Sequence, residues 1–193
     1  MEGSKHLELI ASVATAAEAI ALAQQHQPDM IILDLVLGGR NGLELLTELR
    51  SIAPSTHVIV YSALDEKLYA QRAFAAGAEG YVMKEAGLLA LEEALRTVVQ
   101  GVPYASEAIK RSLLEEAIKG RLPAAPRGVE SLSNQELHIF RLIGSGISSS
   151  AIAAQLGISP KTVSTHRERI KNKLGFQTSR ELERAAEDFF LSK

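Results

Sequence analysis

The chain has 193 residues, no cysteine and a formal net charge of −2. That length accommodates one large domain or two small ones, and the missing cysteines exclude disulfides and thiolate metal sites. Charge divides unevenly, with 7 Lys/Arg against 13 Asp/Glu in residues 1–105 and 9 against 7 in residues 128–193. An acidic front and a mildly basic back suit a regulatory part joined to a nucleic-acid reader. No apolar run reaches membrane-spanning length, and the N-terminal MEGSKH has no signal-peptide pattern, so a cytoplasmic protein without a membrane partner is expected. The five histidines are scattered without ligand spacing and read as structural.

In chain order, Leu7–Val13 alternates apolar and polar residues, as a half-exposed edge strand would. Thr15 and Glu18 make a capping box that opens a helix to about Gln25. Met30–Leu35 is an unbroken apolar run between Pro28-Asp29 and Gly38-Gly39, which predicts a parallel strand buried on both faces. A helix over Leu43–Ile52, a strand over Val58–Tyr61 and a helix over Asp65–Ala76 follow. Then come a strand over Tyr81–Met83 and a helix over Leu88–Val99. Strands alternating with helices imply a parallel sheet covered on both sides. Ser106–Lys119 reads as a connecting helix, and Arg121–Glu130, with Pro123, Pro126 and Gly128, as a linker.

The remaining residues read as short helices with sharp stops. Ser133 and Glu136 form a capping box, Leu137, Phe140 and Ile143 recur at helical spacing, and Gly144 and Gly146 close that helix. Ile152, Ala153 and Leu156 line a second helix that stops at Gly157. Ser159 caps a third, Pro160 takes its first position, and Val163, Ile170 and Leu174 form its apolar stripe. Its other face shows Lys161, Ser164, Thr165, Glu168 and Lys171, the arrangement of a helix-turn-helix reader. Thr178 and Glu181 cap a fourth helix through Phe190, whose Leu182, Ala185, Ala186 and Phe189 suit either a dimer contact or the core.

The order of Leu132, Glu136, Gly146, Ile152, Ala153, Leu156, Ile158, Ser159, Thr162, Val163, His166, Ile170, Lys173 and Leu174 resembles the DNA-binding domain of LuxR/NarL-type regulators. In the front half Asp34, Ser62 and Lys84 stand at the carboxyl ends of strands, where open parallel sheets gather functional groups. Taken singly, each is a strand-end residue facing water. Together with DLVLGGRNG, VIVYSA and GAEGYVMK they resemble the receiver domain of two-component response regulators.

The resemblance implies a flavodoxin-like receiver over residues 1–105, a linker helix and flexible linker over 106–130, and an all-α four-helix LuxR-type domain over 131–193. It makes Asp34 the phosphoryl acceptor, Ser62 and Lys84 the partners of the phosphoryl oxygens, and Tyr81 the aromatic that switches with Ser62. A carboxylate attacking phosphorus with a hydroxyl and an ammonium at the transferred group is coherent chemistry. The family also implies Mg²⁺ held by two adjacent acidic residues after a buried first strand. Here 33 residues precede Asp34 and that pair is absent, so metal binding and phosphorylation are expected to be impaired. The first strand and helix are likewise missing, which bares one side of Met30–Leu35. Either Leu7–Val13 moves across to pair there, or a second subunit covers the face, with Leu88–Val99 as the route to a homodimer.

On DNA, the resemblance places Ser164, Thr165 and Glu168 at base edges, with Lys161, Arg167, Arg169 and Lys171 at phosphates. Thr162 belongs to the same interface, and His166 to a position of backbone contact or packing. Glu168 pairing with Lys161 or Lys171 is an equally good reading. The expected function is a dimeric, non-enzymatic transcription regulator binding double-stranded DNA, with a sensor histidine kinase or a full-length regulator as possible partners. A pseudo-receiver that heterodimerises with such a regulator is the alternative. An enzyme is disfavoured, because no glycine-rich phosphate loop, nucleophile elbow or carboxylate pair is present.

Overall fold

The computed structural model describes residues 8–37, 39–118 and 128–191. Helix α1 (Ala16–His26) precedes strand β1 (Met30–Leu33), and a short hairpin of β2 (Val36–Leu37) and β3 (Arg40–Asn41) leads into α2 (Gly42–Ile52). The chain continues through β4 (His57–Ser62), α3 (Glu66–Ala75), β5 (Gly80–Met83) and α4 (Gly87–Val99). Helix α5 (Glu107–Ile118) follows, and then α6 (Asn134–Gly144), α7 (Ser149–Leu156), α8 (Pro160–Leu174) and α9 (Ser179–Leu191).

The parallel sheet has the order β1-β4-β5, with Met30 opposite His57 and Ile59 opposite Gly80. Helices α2 and α3 cover one face, where Leu33, Val58, Val60 and Tyr81 join the main core. Helix α4 covers the other face through Leu91, Ala94, Leu95 and Val98 packed on Ile59 and Val82. The main core continues without a break into the helical part, from Tyr69, Ala70 and Ala73 to Leu132 and Leu137.

Two expectations about the sheet are corrected. Residues 8–13 form no strand, and Leu9 and Ile10 are 81% and 53% exposed. Leu7, the first residue of that expected strand, lies outside the described residues. Thr15 caps α1, which packs on α2, and this anchorage ends the segment beside α2 rather than beside β1. Nor is Met30–Leu35 buried on both faces. The strand ends at Leu33, and Ile32 is 48% exposed because α4 packs mainly over β4 and β5 and reaches only Met30 of β1.

Local signals fix the helical part. Ser133 Oγ accepts from the Glu136 amide while the Glu136 carboxylate accepts from the Ser133 amide, closing the first turn of α6. Ser148 and Ser159 cap α7 and α8, and Gly157 ends α7 in the left-handed region at φ 64°. Thr178 and Glu181 exchange the same reciprocal bonds at the start of α9. Leu182 and Ala186 of α9 are fully buried, and Phe189 and Phe190 meet Phe140 with ring centroids 6.1 and 5.7 Å away. The apolar face of α9 therefore completes the core of its own domain. Most of the expected linker lies outside the described residues, and Gly128–Ser131 forms a 3-10 turn ahead of α6.

Candidate carboxylate pocket and nucleic-acid interface

Strand ends bring Asp34, Ser62 and Lys84 together. Asp34 Oδ1 accepts from the Val36 amide at 2.9 Å and from Ser62 Oγ at 3.0 Å, and Lys84 Nζ donates to Oδ2 at 2.6 Å. Both carboxylate oxygens are thus engaged inside the chain. Tyr81 lies inward, 1% exposed, and its hydroxyl donates to the Leu64 carbonyl at 2.7 Å. Burial pushes the Tyr81 phenol far above its ordinary range, so it stays a neutral donor. Mg²⁺ needs several oxygen ligands in near-octahedral array. Among the described residues no group of three or more Asp, Glu or His could hold a metal ion, and Asp34 already faces an ammonium. The residues described here do not fit the metal.

The polar face of α8 is open. Lys161, Thr162, Ser164, Thr165, Glu168 and Arg169 are all exposed with the rest of the chain in place. Ser164 Oγ donates to the Pro160 carbonyl at 3.1 Å and Thr165 Oγ1 to the Lys161 carbonyl at 3.0 Å. Thr162 Oγ1 meets the capping Ser159 Oγ at 2.8 Å. With their protons turned into the helix, Ser164 and Thr165 present lone pairs outward. Glu168 Oε1 pairs with Lys171 Nζ at 2.9 Å, so the Lys171 side chain, 12% exposed, lies along the helix rather than outward. Arg167 is tied to Glu183 of α9 and is equally buried, which removes it from the polar face. His166 is half-buried with Nδ1 inside the protein, a packing position. Of the expected phosphate contacts, Lys161 and Arg169 remain outward.

A third cluster, not anticipated from local patterns, lies where the two halves meet. Gly39, in the hairpin after Asp34, offers its carbonyl to His138 Nε2 of α6 at 3.0 Å and to Gln155 Nε2 of α7 at 3.3 Å. Arg72 of α3 donates to Asn134 Oδ1 at 2.9 Å and to the Glu130 carbonyl at 2.8 Å, and Asn41 Nδ2 to Gln135 Oε1 at 3.3 Å. A carbonyl only accepts, so His138 carries its proton on Nε2 and leaves Nδ1 as acceptor for Arg141 Nη2 at 3.4 Å. Burial is the main cause that lowers the His138 pKa to about 4; the nearby Arg141 charge acts in the same direction against the Gly39 bond. Only Gly39, a glycine in a loop, could have hinted at this cluster.

Residues 2–96 match the response regulator receiver domain, and residues 130–186 match the bacterial regulatory proteins of the luxR family. The chain is 33% identical over 174 residues to the nitrate/nitrite response regulator protein homolog of Haemophilus influenzae, covering 90% of this chain and 81% of that protein. It is 31% identical over 181 residues to the oxygen regulatory protein NreC of Staphylococcus epidermidis, covering 91% and 83%. A two-component response regulator of the LuxR family from Aurantimonas sp. SI85-9A1 is 29% identical with a TM-score of 0.52, over 57% of this chain and 79% of that one. RcsB from Salmonella typhimurium shares the fold at a TM-score of 0.67 and 24% identity, over 91% and 81%.

Proposed function

This chain belongs to the response regulators that join a receiver domain to a luxR-family regulatory domain, and we propose that α8 reads duplex DNA through an acceptor-rich face without phosphoryl transfer to Asp34. It is a DNA-binding transcription regulator. The observation that supports this mode of reading is the open face of α8, on which Ser164 and Thr165 keep only lone pairs for the groove and Glu168 adds a carboxylate. In the major groove, amino donors belong to cytosine N4 and adenine N6, and the Thr165 methyl suits a thymine methyl. Lys161 and Arg169 supply phosphate contacts, which set register without reading sequence.

The Asp34 pocket supports independence from phosphorylation. Attack by Asp34 on a phosphoryl donor requires an oxygen to leave the Lys84 ammonium or the Ser62 hydroxyl, and among the described residues no cluster of three or more Asp, Glu or His could hold Mg²⁺ there. The protein then acts by binding rather than catalysis, in the cytoplasm, with the division at 105 and 130 separating receiver, linker and reader. As a homodimer it would read an inverted repeat with half-sites about one helical turn apart. The apolar face of α9 lies in its own core, so the dimer contact falls to other apolar surface. Leu88 and Leu89 at the start of α4, 69% and 82% exposed, are the best placed. Selection of bound duplexes from a random pool tests the reading. Enriched half-sites should present cytosine or adenine amino groups to α8, and sites recognised only through guanine O6 and N7 would contradict it.

A further inference from the structure

The interface at Gly39 bears on how the two halves cooperate. One backbone carbonyl accepts from two helices of the DNA-binding domain, through His138 and Gln155. Gly39 holds that carbonyl at φ +77°, in the left-handed region, and a Cβ there would overlap the Gln155 side chain. Arg72 clamps a second point, gripping Asn134 at the first turn of α6 and the Glu130 carbonyl before it. The hairpin that presents Gly39 is itself anchored to Asp34 through the Val36 amide. All these contacts lie on α6, the turn before it and α7. The reading face of α8 stays exposed while they are made.

We propose that this docking is a brace and not a mask: the receiver's Gly39 hairpin and Arg72 are a docking surface for α6 and α7 of the same chain, and the docked chain is the form that binds DNA. A mask has to cover the reading face, and this interface leaves it open. The brace fixes where α8 points relative to the receiver, which sets the spacing of two readers once two receivers associate. The proposal rests on α8 being the reader.

Two variants test it at separate points of the interface, Gly39→Ala in the hairpin and Arg72→Ala on α3, so that misfolding of one does not decide the matter. Hydrogen exchange in Asn134–Gly144 reports docking, and binding of a labelled duplex of arbitrary sequence at low salt reports DNA affinity. Each variant should exchange faster in α6 and bind the duplex at least about threefold more weakly than the parent, and faster exchange with unchanged affinity would overturn the proposal. Faster exchange with a gain in affinity would make the docked form a mask and likewise overturn it. Unchanged exchange in both variants would equally overturn it, because these contacts would then not hold the halves together. Lys161→Ala in the docked parent serves as the separate check: unaltered duplex binding would remove α8 as reader, whatever the exchange shows.

Discussion

Single side chains carry much of this account. His138 is neutral where it sits, donating from Nε2 and accepting at Nδ1, and its pKa is lowered from 6.5 to about 4. The unfolded chain therefore takes up a proton before the folded one does. Stability is complete above pH 6.5 and declines as pH falls towards 4, by up to about 3 kcal/mol from this group alone. Urea unfolding against pH should show that decline in the parent and a shallower one in His138→Gln; equal slopes would take His138 out of the explanation. On α8, Lys161→Ala should weaken binding to all duplexes alike and lower the salt slope by about 1. Glu168→Gln keeps one acceptor but adds donors, so the selected base opposite it should broaden from cytosine towards adenine. An unchanged selection profile would leave Glu168 as no more than the partner of Lys171. At this scale the sequence marked the exposed face of α8, since helical spacing alone puts Lys161, Ser164, Thr165 and Glu168 on one side. It could not show that Arg167 turns to Glu183, because that choice depends on where α9 packs.

Elements were legible where their signals are local. Ser133 with Glu136, Ser159 with Pro160, and Thr178 with Glu181 each announce a helix start within four residues, and Ser133, Ser159 and Thr178 are found capping α6, α8 and α9 by accepting from the Glu136, Thr162 and Glu181 amides. Strands are different, because a strand exists only against a partner. Residues 8–13 alternate correctly and still pair with nothing, and the apolar run at Met30 lies at the edge of the described sheet with Ile32 outward. The short hairpin over Val36–Asn41 was invisible for the same reason. The packing of α9 on α6 leads to a direct prediction. Leu182 is fully buried there, and Leu182→Ala should destabilise the helical domain by about 2–5 kcal/mol through lost burial and a residual cavity. Thermal unfolding would register it. A cost well below 1 kcal/mol would mean that this face is not sealed into the domain core and is free to serve another contact.

For the molecule as a whole, charge and motif order disclosed an acidic receiver followed by a DNA reader. They did not disclose how the two sit together. The contacts that join them link residues 58 to 116 positions apart, such as Arg72 with Glu130 and Gly39 with Gln155, and no local pattern encodes such a pair. The arrangement places an Asp34 carboxylate already held by Ser62 and Lys84 and an open reading face in one chain. DNA reading by α8 does not wait on chemistry at Asp34. The most direct test is duplex affinity before and after treatment with Mg²⁺ and a small acyl phosphate, in the parent and in Asp34→Ala, using a sequence selected from a random pool. All four samples should bind with the same affinity. A gain confined to the treated parent would show that Asp34 accepts a phosphoryl group and controls α8, and would contradict that independence.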